Sequence, residues 1–135
     1  MTDNTVFVDA RALAAPKQGD CFKVAAELVL ADAALTLVHG LVTAPDDADG
    51  RKGRAEPGQR HAHAWVETQA TVKMPDGRVR RTTVVVDVAS GRRMAVMKGT
   101  YYDAGHIVRP TRYSHAQVRA MLVEHQNWGP WKELS

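Results

Sequence analysis

Residues 61–89 read HAHAWVETQATVKMPDGRVRRTTVVVDVA, and this stretch decides the fold. Its first part, His61 to Lys73, alternates well enough for a strand with one buried face. Met74-Pro75-Asp76-Gly77 supplies hairpin turn chemistry, and Arg78 to Ala89 is β-branched and apolar toward its end. Together they predict an antiparallel hairpin, and therefore an antiparallel sheet at the centre of the domain.

Downstream, Ser90-Gly91 ends the strand, and after a short mixed segment Lys98 to Gly105 predicts a brief helix. Ile107 to Tyr113 carries no clear period. Ser114 is placed to cap an amphipathic helix that runs to about His125, with Val118, Met121 and Leu122 facing inward. Asn127-Trp128-Gly129-Pro130-Trp131 cannot continue a helix, and its tryptophans are expected to pack back on the body.

Upstream, Leu35 to Thr43 reads as a strand because of its β-branched residues and its glycine. Between it and His61 lies the longest loop, Ala44 to Arg60, rich in Asp, Gly, Pro and Arg and without periodicity. Residues from Cys21 to about Ala34 are strong helix formers, with Cys21, Val24, Ala25 and Leu28 at helical spacing. Asp20 suits the N-cap of that helix, although Lys23 stands where Glu or Gln would complete a capping box. Thr5 to Asp9 is a brief apolar run that suggests a first strand.

The 135 residues make one domain's worth of chain, enough to bury roughly two-thirds of the surface its unfolded form exposes. With 44% hydrophobic and 24% charged residues the composition is that of an ordinary globular protein and excludes wholesale disorder. A single cysteine forms no internal disulfide, and a lone thiol is most easily kept reduced in a cytosol. The residues at the start lack the basic and apolar pattern of a signal peptide, and no apolar run reaches the length of a membrane span. The expectation is a cytoplasmic protein with no membrane partner. Net charge is +3, and the basic residues are dispersed, with Asp46, Asp47, Asp49 and Glu56 interleaved among Arg51, Lys52, Arg54 and Arg60. That pattern reads as a solvated surface before it reads as a nucleic-acid groove.

Three residues with chemistry then follow one another along the chain: Cys21 at a helix start, His63 at the head of a strand and Asp87 on the next strand. A thiolate is the reactive form of cysteine, and both a helix N-terminus and an imidazolium favour it. Histidine takes a proton and later returns it to a leaving group, while a carboxylate on its other nitrogen fixes tautomer and ring angle. The backbone N–H of Cys21 is a natural oxyanion donor, and Gln18 offers a second. Asp87, an acid after three valines, must be paired or exposed, and a histidine would satisfy it.

Gly19-Asp20-Cys21-Phe22 before an Ala-rich helix, then His63-Ala64-Trp65-Val66-Glu67, then a strand carrying Asp87, resembles the bacterial transglutaminase-like proteins of the papain-like cysteine peptidase superfamily. The resemblance covers Gln18 to about Gly91. It implies an α+β fold of papain-like or transglutaminase-like core, with the Cys-bearing helix on an antiparallel sheet, to which the helix read after Ser114 is added at the C-terminal side. It also implies a triad of Cys21, His63 and Asp87; Gln18, Phe22, His61 and Trp65 are the further candidates for the oxyanion and the substrate. Many members carry a tryptophan or similar aromatic directly after the cysteine, where this chain has Phe22, and a proline after the aspartate, where it has Val88. The implied activity is that of a cysteine peptidase, amidase or acyltransferase needing no cofactor, acting on a peptide, a protein or a small amide or acyl compound.

Blander readings stand beside this one. Cys21 alone suits a small buried hydrophobe, and Trp65 a core or cleft-wall aromatic. His61 and His63 share one side of a strand, and with Cys21 and either Asp87 or His39 they suggest a zinc site, hence a binding module. A catalytically inactive relative and a nucleic-acid binder complete the alternatives. His39 is expected to be a hydrogen-bonded packing residue, and His106, His115 and His125 surface or helix residues.

Overall fold

A computed structural model describes residues 21–44, 56–89 and 92–133. They form helices α1 (Cys21–Ala31), α2 (Lys98–Gly105) and α3 (His115–His125), and strands β1 (Thr36–Thr43), β2 (Arg60–Lys73), β3 (Val79–Ala89), β4 (Arg92–Met97) and β5 (Val108–Tyr113). The strands make one sheet in the order β4-β3-β2-β1-β5, antiparallel throughout. The fold is therefore α+β. The first-strand expectation at Thr5 to Asp9 and the cap expectation at Asp20 lie outside the described residues.

Alternation along the strands sends side chains to two cores. On one face α1 lays Val24, Ala25, Leu28 and Val29 against Leu37, Ala64, Val66 and Val86, and α3 adds Val118. Trp128 and Trp131 pack against this cluster, as the apolar tail suggested. On the other face Val38, Trp65 and Val85 are covered by Tyr101 and Tyr102 of α2 and by Ile107. Lys23 and Glu27 point to solvent, so α1 has the one-sided burial its spacing predicts.

The hairpin of β2 and β3 turns at Met74 to Gly77, where Gly77 adopts φ 85°. Asp76 accepts from the Arg78 backbone N–H, and the Gly77 N–H donates to the Met74 carbonyl. The base of the loop between β1 and β2 is tied by two backbone hydrogen bonds between Ala44 and the Gly58-Gln59 pair. Ser114 caps α3 as expected and shares a capping box with Gln117.

Three boundaries differ from the sequence expectations. α1 stops at Ala31 rather than Ala34, because Asp32 accepts from the Ala34 N–H and turns the chain. The mixed segment before α2 is strand β4, whose Met94 and Ala95 are exposed as befits an edge strand. The patternless Val108 to Tyr113 is the opposite edge, β5, in which only Tyr113 is buried, so it shows no strict alternation. Among the described residues no helix is long and apolar enough to cross a membrane.

Candidate active site

The β2–β3 ladder runs from the Lys73–Val79 pair to the Val66–Val86 pair and ends there. Beyond it, among the described residues, the head of β2 pairs with β1 and the end of β3 with β4. His63 and Asp87 occupy the two arms of this fork, both on the face that carries Trp65 and Val85. They are buried, with 9% and 4% of their surfaces exposed.

His63 sets its Nε2 against both oxygens of Asp87, 3.1 Å from Oδ1 and 3.0 Å from Oδ2. Cys21, the first residue of α1, is close enough to the same ring to act on it as hydrogen-bond partner and as charge. With Nε2 committed to Asp87, Nδ1 is the nitrogen left for the thiol. α1 packs on the opposite face, so ring and thiol meet where the ladder has stopped and no longer walls one face from the other. Burial disfavours the charged ring, but the charge and hydrogen bond of Asp87, with the contribution of Cys21, outweigh it. The imidazolium is held up to about 10 from an ordinary 6.5.

The carboxylate of Asp87 has a second donor in Tyr101, whose hydroxyl lies 2.5 Å from Oδ2. Burial first, then the Asp87 charge, pushes the ionisation of this phenol far above its usual range. Behind His63 lies Trp65, fully buried, with ring centroids 6.1 Å apart and planes 28° from parallel. The indole Nε1 donates to Glu67 Oε2 at 3.2 Å, and Tyr102 donates to the same oxygen. Arg112 Nε donates to Glu67 Oε1 at 3.0 Å. Burial alone would raise the Glu67 carboxyl, yet these donors hold it below the ordinary carboxylate range.

Phe22 is half-buried and turns its ring onto His39, 4.8 Å away. His61 is half-buried with its ring 6.0 Å from that of His63, and burial, partly offset by the Ala62 carbonyl, lowers its affinity for a proton. It lines a groove of about 410 Å³ with Leu41, Arg60, Ala62, Pro130 and Trp131. Trp65 is fully covered and backs the His63 ring from the core. Gln18 lies outside the described residues.

His39 corrects an expectation. It is 1% exposed, and neither ring nitrogen has a hydrogen-bond partner among the described residues. Its neighbours are the rings of Phe22, Tyr113 and Trp131, and a Cβ on Gly129 would come within 2.8 Å of its Cε1. Burial lowers its ionisation to about 4, so it packs as a neutral ring. It faces away from His63, and among the described residues no three of His, Cys, Asp and Glu are grouped to hold a metal ion.

Sequence reasoning passed over Tyr101, Tyr102, Glu67 and Arg112. The available signal was the demand of two buried acids, Asp87 and Glu67, for donors, and the Tyr101-Tyr102 pair is the obvious source. No family model, no curated protein and no solved structure matches the chain.

Proposed function

We propose that this chain is a thiol enzyme with a papain-like core, a hydrolase or acyltransferase that acts on an amide, isopeptide or thioester through Cys21, His63 and Asp87. The observation that carries the reading is the connected series Cys21, His63, Asp87, built from a helix and two strands far apart in sequence, around a buried imidazolium. The transglutaminase-like motifs around Cys21 and His63 support it, as does the Cys-bearing helix packed on an antiparallel sheet. A lone thiol fits a reducing compartment, so the protein is placed in the cytoplasm.

In this mechanism the Cys21 thiolate attacks the substrate carbonyl carbon, and the C=O electron pair moves onto oxygen. The Cys21 backbone N–H, at the first residue of α1 where N–H groups have no intrahelical acceptor, faces the oxyanion. His63 gives its proton to the departing amine or thiol, and the acyl–sulfur bond remains. Water or an amine then loses a proton to His63 as it attacks the acyl carbon, and the thiolate leaves as imidazolium is restored. Asp87 orients the ring through its hydrogen bond to Nε2.

The test is labelling with acyl-type electrophiles followed by intact mass, together with the pH profile of Cys21 alkylation. The reading expects one acyl group on wild type and none on Cys21→Ala, with the pH profile of Cys21 alkylation changed in His63→Ala. A profile that His63→Ala leaves unchanged removes the activated pair, and the proposal with it.

A further inference from the structure

Two successive residues of α2 each take one buried carboxylate from a different strand. Tyr101 donates to Asp87 on β3, and Tyr102 to Glu67 on β2. The first contact bears on the chemistry. The Nε2 of His63 is nearly equidistant from the two Asp87 oxygens, at 3.1 and 3.0 Å, so His63 alone does not choose between them or set the plane of the carboxylate. Tyr101 bonds to Oδ2 only, and so selects one orientation.

From this geometry we infer that Tyr101 is a positioning residue for the Cys21–His63 pair, acting through Asp87. Its hydroxyl fixes the rotation of the Asp87 carboxylate and thereby the angle at which the His63 ring is presented to the thiol. The inference rests on the thiol chemistry proposed above. Tyr101 is itself held, since its ring packs on Trp65 at 5.5 Å and on Tyr102 at 6.4 Å. Asp87 is 4% exposed, which leaves water little access to replace a lost donor. Burial and then the adjacent negative charge of Asp87 disfavour the phenolate, which favours the hydroxyl as donor.

The experiment measures the second-order rate of Cys21 alkylation by iodoacetamide in wild type, Tyr101→Phe, Tyr102→Phe, Asp87→Asn and the Tyr101→Phe/Asp87→Asn double variant. Tyr101→Phe should slow alkylation at pH 6 about tenfold, the loss of one charge-assisted hydrogen bond, and shift the pH profile toward that of an ordinary thiol. In the Asp87→Asn background the same substitution should add nothing, because the two residues act in series. Tyr102→Phe removes a similar buried hydrogen bond and should lower the unfolding midpoint while changing alkylation by no more than about twofold. Tyr101→Phe alkylating as wild type, or its effect multiplying with that of Asp87→Asn, would overturn the inference. If His63→Ala also leaves the rate untouched, the parent reading falls as well; if His63 and Asp87 matter and Tyr101 does not, only this inference falls. Should Tyr101→Phe fail to fold, proton NMR of wild type decides: the Tyr101 hydroxyl and His63 Nε2 protons should be slowly exchanging downfield signals in mutual Overhauser contact. Absence of that contact overturns it.

Discussion

The two buried histidines are shifted in opposite directions, and the difference is one of partners. His63 has Asp87 and Cys21, so its proton affinity in the folded state rises from 6.5 to about 10. Its stabilising contribution is full below pH 6.5 and is lost as pH climbs toward 10. His39 packs on the rings of Phe22, Tyr113 and Trp131 and burial lowers it to about 4, so protonation in the unfolded chain draws the protein open as pH drops from 6.5 toward 4. Thermal unfolding midpoints should therefore peak near pH 6.5, with Asp87→Asn flattening the alkaline limb. His39→Leu, which removes two nitrogens without a partner among the described residues, should flatten part of the acid limb and add about 1–2 kcal/mol at neutral pH. A lower midpoint in His39→Leu would show that the ring has a partner after all. The motif from His63 to Glu67 set His63 apart from His39 as a candidate, but the letters around the two do not give their charge. Both sit on strands beside apolar residues, and only the chain packed over each decides which is charged.

At the scale of elements, β1 and β2 fit because one residue is a glycine. A Cβ on Gly40 would lie 2.7 Å from the Trp65 ring, so the indole occupies the space a side chain would take. Trp65 in turn backs His63, which couples the packing of the two strands to the site. Gly40→Ala should cost about 1–3 kcal/mol in urea unfolding and also slow His63-dependent alkylation of Cys21. Loss of stability with the alkylation rate intact would break that coupling. The glycine was legible as a strand residue, and its reason was not, since the aromatic that needs the space lies 25 residues later on another strand. Helices α2 and α3 and the β2–β3 hairpin could be read from caps, turns and local periods. Edge strands β4 and β5 escaped because an edge is partly solvated and carries little alternation.

On the scale of the whole molecule, a single sheet separates two cores and is forked where β2 leaves β3. Neither core is large, and adjacent residues of the same strands feed both, so the faces should melt together. Fluorescence of variants retaining only Trp65, on the α2 face, or only Trp131, on the α1 face, should report coincident denaturant transitions. Separate midpoints would mean that α2 and its tyrosines open independently of the main core. By itself the sequence determined the hairpin, the helix that begins at Cys21, the capped helix after Ser114 and the candidate residues Cys21, His63 and Asp87, because each rests on a local period, a turn or a residue type. Only the tertiary structure decided that His63 and Asp87 share the arms of a fork, that Tyr101 takes one oxygen of Asp87 and that His39 is buried among aromatic rings with no hydrogen-bond partner among the described residues. Those are relations between segments distant along the chain, set by register, packing and desolvation, and no local pattern encodes them.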